Sequence, residues 1–262
     1  MTYKSLSFEV SNGIAHLTLN RPDAANAFNL EISREFFDAT IACDERSDIR
    51  SVILTGEGKM FSAGGDLKYF SERGAELSIA LKQITALLHS AIARIAHMDA
   101  PVVAAINGMA AGAGLSLAAA CDYTIAGQGT RFTLAYTAAG LSPDGSSTWY
   151  LPRLIGLRRT RELMLTNRIL DANEAREIGI VDKVVADDTL MDTAIKQAEI
   201  FSKGPTKAYG ATKRLLQETW NSGLETQMDR ETRMISNLAK TDDAQEGIDA
   251  FIKKRKPTFT GK

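Results

Sequence analysis

The sequence predicts an α/β fold closed by an all-helical region, and three observations carry the prediction. Short apolar runs of strand character recur through about the first three quarters of the chain, interleaved with helical patterns. Two turns of small residues, FSAGGD at 61–66 and NGMAAGAGLSLAAACD at 107–122, stand where a strand gives way to a helix. From about residue 187 the pattern is helical to the end, with Gly204-Pro205, Asn221-Ser222-Gly223 and Thr241-Asp242-Asp243 as punctuation.

SFEVSNGIAHLTLN is two alternating runs around Asn12-Gly13, a β-hairpin signal because both residues tolerate positive φ. Asn29 precedes LEISREFFDATIACDER, where Leu30, Phe36, Phe37 and Ile41 fall on or near one face, so Asn29 is the expected N-cap. The strand SVILTG at 51–56 runs through Gly56 and Gly58 into the first small-residue turn. Between Glu76 and Asp99, Leu77, Leu81, Ile84, Leu88, Ala91 and Ile95 recur at helical spacing and predict one long amphipathic helix. PVVAAING is a strand leading into the small-residue helix, DYTIAG and RFTL are further strands, and SPDG at 142–145 is a turn before a helix. Helices at 157–168 and 172–179 precede the strand IVDKVV, with Asp171 and Glu174 as a capping pair. In the C-terminal quarter, Leu215, Leu216, Trp220, Leu224, Met228, Met234 and Leu238 face either this chain's core or a partner subunit.

A chain of 262 residues can bury a sizeable core, and its net charge of −1 supplies no basic field for nucleic acid or an anionic membrane. No charge occurs between Asp99 and Asp122, a length that would cross a bilayer. Asn107-Gly108 interrupts that stretch and Ala and Gly dominate it, so a buried strand followed by a buried helix is expected. Cys43 and Cys121 each fall in a helical segment with no CxxC or histidine cluster beside them. They are expected as reduced, buried thiols of a cytoplasmic protein, with no metal site. The opening MTYKSLSFEV has neither signal-peptide nor transit-peptide character and reads as the start of a strand.

The first amides of a helix have no acceptor inside it, and the helix dipole adds to their pull on negative charge. Two such amides converging from the two small-residue turns would form an oxyanion hole. Close packing of helix on strand is the competing reason for the same residues, and the residues alone leave both open. GMAAGAG is not GxGxxG and is not followed by Lys-Ser/Thr, which argues against dinucleotide and P-loop readings.

RPDAANAFN at 21–29, SVILTGEGKMFSAGGDLK at 51–68, APVVAAINGMAAGAGLSLAAACDYTIA at 100–126 and LPRLIGLRRTRELMLTNRILDANEAREIGIVDKVV at 151–185 together resemble the enoyl-CoA hydratase/isomerase family, the crotonase superfamily. The resemblance runs in order over nearly the whole chain. It implies a crotonase-like spiral of β-β-α turns over residues 1–200 that binds acyl-CoA, and a helical trimerisation region over 201–262. The implied assembly is a homotrimer or a dimer of trimers. The implied chemistry passes through a thioester enolate held in an oxyanion hole whose donors fall on the Gly65 and Ala113 amides. Many family members have glycine where Ala113 stands; alanine keeps the N–H. Coenzyme A, present as part of the substrate and with no other cofactor, is implied to lie along Ala24, Ala63, Gly65, Asp66, Leu67 and Lys68. Asp66 is at least as well suited to capping a helix. KKRKP near the C-terminus fits either the CoA phosphates of a neighbouring subunit or a solvated basic tail.

Hydratases of this family carry two glutamates, and the matching positions here hold Ser116 and Tyr136. Neither is a carboxylate, and hydration by the two-carboxylate route is not expected. Members that isomerise ring epoxides or enoyl-CoA have an acid where Asp144 stands in SPDG, although Pro-Asp-Gly taken alone reads as a turn. The expectation is an isomerase in which Asp144 moves a proton and a double bond, with Tyr136 and Trp149 near it. Aryl-CoA dehalogenases that resemble this loop use the aspartate as a nucleophile, with a histidine at the position that here is Ala93. His89 and His97 stand one helical turn to either side and read as solvent-facing or packing residues. The alternatives are a hydratase with another base and a non-catalytic acyl-CoA- or RNA-binding protein of the same fold.

Overall fold

In the computed structural model, which describes residues 3–262, the hairpin joins β1 (Leu6–Ser11) to β2 (Ile14–Leu19) in antiparallel register, Leu6 opposite Leu19. Asn12 and Gly13 hold φ of 53° and 77°, the left-handed pair that a two-residue turn needs to match strand twist. The first strand starts at Leu6, and Met1 and Thr2 of the expected run lie outside the described residues.

α1 (Leu30–Glu45) begins where Asn29 predicts: the Asn29 side chain accepts from the Ile32 amide at 3.1 Å. Its Ile32 and Phe36 are fully buried, and the Phe36 ring meets Phe28 edge to face at 6.1 Å. The helix carries the chain from β2 to a parallel neighbour, β3 (Ser51–Gly56). β4 (Val102–Ile106), β6 (Tyr123–Gly127) and β9 (Lys183–Val185) extend the same sheet in the order β1-β2-β3-β4-β6-β9. Every residue of β4 is buried, as a central parallel strand covered on both faces requires.

A second sheet, which the sequence reading did not resolve, joins β5 (Met109–Ala111), β7 (Arg131–Thr133) and β8 (Leu170–Asp171). The uncharged run from 99 to 122 thus contains β4, β5 and the short α4 (Ala113–Ala119). Cys121 falls beyond the end of α4 rather than within a helix, with its Sγ on the Leu117 carbonyl. β4-β5-α4 and β6-β7-α5, with α5 at Ser147–Ile155, are successive strand-strand-helix turns, each giving one strand to either sheet. That repetition is the spiral.

α2 (Leu67–Ser71) follows the first small-residue turn, and α3 (Leu77–His97) packs along α1 through buried Ile84, Leu88, Ala91, Ile92 and Ile95. The segment Gly74–His97 is long and apolar enough, by length and composition alone, to cross a membrane; its apolar face lies in the core. α6 (Leu157–Thr166) and α7 (Ala172–Glu177) are shorter than expected. The capping pair at α7 is half formed. Asp171 accepts from the Glu174 amide, whereas the Glu174 carboxylate turns to Arg168.

The expected domain boundary at residue 200 falls inside α8 (Leu190–Ser202), whose Leu190, Ala194 and Ala198 pack on the large sheet. The helical appendage therefore starts after Ser202, with α9 (Thr206–Glu218), α10 (Leu224–Leu238) and α11 (Asp242–Ile252). Helix does not continue to the end: the last residues run as an irregular tail, held by Asp243 accepting from the Thr260 and Gly261 amides. Arg50 anchors it too, donating to the Phe259 carbonyl.

Candidate active site

The two small-residue turns meet. Ser62 forms a parallel bridge with Ala110, its amide donating to Met109 and its carbonyl accepting from Ala111. Gly64, at φ 90°, lies so close that a Cβ there would come within 2.7 Å of the Ala111 carbonyl. A Cβ on Gly114 would come within 2.6 Å of the Ser62 carbonyl. Close packing is therefore one reason for the small residues.

The second reason is the amides that this contact brings together. Gly65 and Ala113 both line one apolar cavity of about 240 Å³. Among the described residues neither amide donates to a protein acceptor: Gly65 follows the turn outside any strand, and Ala113 is the first residue of α4. Leu81, Ile84, Leu88, Leu134 and Leu141 supply much of the wall.

Asp144 reaches the same cavity from the loop between β7 and α5. Its Oδ1 accepts from the Tyr136 hydroxyl at 2.7 Å, and Tyr136 Oη lies 2.9 Å from Ser116 Oγ. Burial first, and the neighbouring Asp144 charge second, push the Tyr136 phenol well above its ordinary range, so it remains a donor. Ser116 and Tyr136, where the resemblance implies the hydratase glutamates, thus form a hydroxyl chain ending on Asp144.

His89 stands on the other side of Asp144, with Nε2 3.3 Å from Oδ2 and 3.1 Å from the Gly145 amide, which donates to it. His89 is exposed, as its reading as a solvent-facing or packing residue expects, and it also bridges α3 to the Asp144 loop. The signal was in the spacing, since His89 and Ala93 share a helix face at i, i+4 and side chains lean toward the N-terminus. His97 stays apart, its Nδ1 2.7 Å from the Ala93 carbonyl oxygen. Trp149, expected near Asp144, lines a second cavity together with His89, with Arg153 stacked over its ring at 3.8 Å.

The other residues of the implied CoA surface divide. Ala63 and Leu67 line the cavity, with Leu67 59% exposed at its mouth. Ala24 ends the turn Pro22–Ala24, and Ala63 donates to the Ala25 carbonyl, so the two lie on adjoining backbone. Lys68 is exposed. The Asp66 carboxylate caps α2, accepting from Tyr69 at 2.9 Å, and pairs with Arg21 at 3.0 Å, which also donates to the Ala27 carbonyl. That commitment favours its capping role. In KKRKP, Arg255 is taken up by Glu246 and Asp249, and Lys253 by Asp249.

The profile of the enoyl-CoA hydratase/isomerase family matches residues 9–262. The chain belongs to the enoyl-CoA hydratase/isomerase family. It is 36% identical over 255 residues to the 1,2-epoxyphenylacetyl-CoA isomerase of Escherichia coli K12, covering 97% of both chains. It is 34% identical over 268 residues to the crotonyl-CoA hydratase of Syntrophomonas wolfei, covering both chains in full. An enoyl-CoA hydratase from Polaromonas superposes with a TM-score of 0.92 at 32% identity, covering 97% of this chain and 99% of that one. The fold is that of the crotonase superfamily, and the chain is an enzyme of the hydratase/isomerase group. Relatives of similar identity carry both kinds of name.

Proposed function

We propose that this enzyme is an acyl-CoA thioester isomerase that moves a double bond by passing a proton through Asp144. The observation that carries the reading is a lone carboxylate sharing one apolar cavity with two unsatisfied amides. Asp144 takes a proton from the carbon next to the thioester carbonyl, or from the carbon conjugated to it. The C–H electron pair moves onto the carbonyl oxygen, where the Gly65 and Ala113 amides hold the enolate. The carboxyl then returns the proton at the other end of the conjugated system. The electron pair stays within the substrate, so the mechanism calls on no cofactor beyond the CoA of the thioester. The apolar wall supports an acyl group without a distal charge. The CoA moiety is assigned to the surface of Ala24, Ala63, Leu67 and Lys68, with Asp66 and Arg21 holding it in shape.

The test is 3-hexenoyl-CoA, followed by the absorbance of the conjugated thioester and by NMR in heavy water. Migration of the double bond is expected. Hydration of 2-hexenoyl-CoA to the 3-hydroxyacyl thioester without migration would overturn the reading in favour of a hydratase with a different base. Tyr136→Phe removes the donor to Oδ1, and hydrogen bonds to charged groups contribute about 1.5–3 kcal/mol. That bond steadies the carboxylate before it takes the proton and weakens as the proton arrives, so kcat is expected to change by no more than a few-fold in the same assay.

The assembly is proposed to be a trimer, or a pair of trimers, joined through the C-terminal helices. Leu216, Trp220, Leu224, Met228 and Ile235 are exposed there, a run of large apolar side chains that a solvated surface seldom carries. Light scattering should return a mass of three or six chains, and Trp220→Glu with Ile235→Glu should shift it toward one chain at unchanged helical content. We propose a cytoplasmic site of action from the two unpaired thiols, Cys43 and Cys121.

A further inference from the structure

Asp144 lines the acyl cavity, and His89, in contact with it, lines a second cavity. This second cavity is open, about 440 Å³, and His89 is joined there by His97, Tyr150 and Glu218. The His89 side chain is 48% exposed against 29% for Asp144, and an acyl chain in the first cavity would cover the carboxyl from that side.

His89 Nε2 faces two groups at once. The Gly145 N–H is a donor only, so Nε2 accepts from it and the ring carries its proton on Nδ1. With that tautomer, Asp144 Oδ2 at 3.3 Å gains a hydrogen bond to Nε2 only when Oδ2 itself carries a proton. Once the ring takes that proton, Nε2–H faces a carboxylate and the contact is an ion pair. Nε2 has one lone pair, so proton transfer to it displaces the Gly145 N–H, and the ion pair with Oδ2 replaces that hydrogen bond. The other partner of Asp144 offers no such exit: Tyr136 donates to Oδ1 and leads inward to Ser116, which is fully buried.

We propose that His89 is a positioning residue that exchanges the Asp144 proton with solvent during turnover, setting how much substrate-derived hydrogen returns to carbon. This rests on the isomerase reading. After Asp144 has taken the substrate proton, the Oδ2–H bond breaks as an Nε2–H bond forms, which regenerates the carboxylate and leaves an imidazolium. The imidazolium gives up the Nε2 proton to water in the open cavity that the half-exposed ring lines, Nε2 takes a solvent proton in its place, and transfer back to Oδ2 reloads the carboxyl with that solvent proton. Return to carbon competes with this exchange.

The experiment uses 3-hexenoyl-CoA carrying two deuteriums at C2, turned over in ordinary water to low conversion by wild type, His89→Asn and His89→Gln. One deuterium remains at C2 of the product as an internal standard, and the other appears at C4 only if it never left the enzyme. Asn and Gln stay polar but have no group that takes up and releases a proton at working pH. The expected result is extensive loss at C4 in wild type and a several-fold higher C4-to-C2 deuterium ratio in both variants. A purely structural role for His89 would change the rate without moving this ratio. Equal ratios in all three proteins, or full retention in wild type, would overturn the relay while leaving the isomerase standing. A wild type that moves no double bond would sink both.

Discussion

Asp144→Asn is expected to lower kcat for double-bond migration by about 10²- to 10⁴-fold, the range that a positioned general acid–base contributes. That corresponds to about 3–5 kcal/mol of barrier. The substitution isolates the proton, because Asn is isosteric and its oxygen still accepts from Tyr136 while its NH₂ donates to His89 Nε2. The loop should keep its place, and the affinity for hexanoyl-CoA, a saturated thioester that cannot isomerise, should stay within a few-fold of wild type. Deuterium uptake from heavy water into 3-hexenoyl-CoA should disappear together with migration. Uptake that survives in the variant would move the base to another group, and weaker hexanoyl-CoA binding would mean that the loop itself had shifted.

The parts of this molecule that were legible in the sequence are those decided by neighbours in the chain. Asn12-Gly13 needs only its own φ angles to make a hairpin, and Asn29 and Asp66 need only an amide three residues on to cap a helix. The family motifs extend this reach, because they stand for contacts such as Ser62 with Ala110 that no local rule supplies. What stayed hidden is convergence. β5 and β8 are two or three residues long and gain their strand character from partners far along the chain, which no periodicity can register. His89 lies 55 residues from Asp144, and their contact depends on how the loop after β7 crosses α3. The rotation of α3, fixed by Ile84, Leu88, Ala91 and Ile95 entering the core, turns His89 toward that crossing. Ser116 and Tyr136 likewise read as two lost glutamates in the sequence, and only the fold joins them into a hydroxyl chain on Asp144.

Ala113→Pro should cost about 10²- to 10³-fold in kcat, the usual loss when one oxyanion donor is removed, or about 2.7–4 kcal/mol. Few backbone donors can be deleted by an ordinary substitution without unfolding an element, and this one can because Ala113 opens α4. Proline suits a first helical position, where its missing N–H had no partner inside the helix and its fixed φ is already helical. Gly112 before it has no Cβ, which relieves the clash that restricts residues preceding proline. The melting temperature should therefore stay near that of wild type. Ala113→Gly, which keeps the N–H, should remain within a few-fold of wild-type activity and controls for the lost methyl group. The ring Cδ also occupies the space in front of the nitrogen where the carbonyl oxygen would sit, so KM is expected to rise too, and the fall in kcat at saturating substrate is what reports the lost donor. Deuterium uptake should fall in step with migration, because both pass through the same enolate.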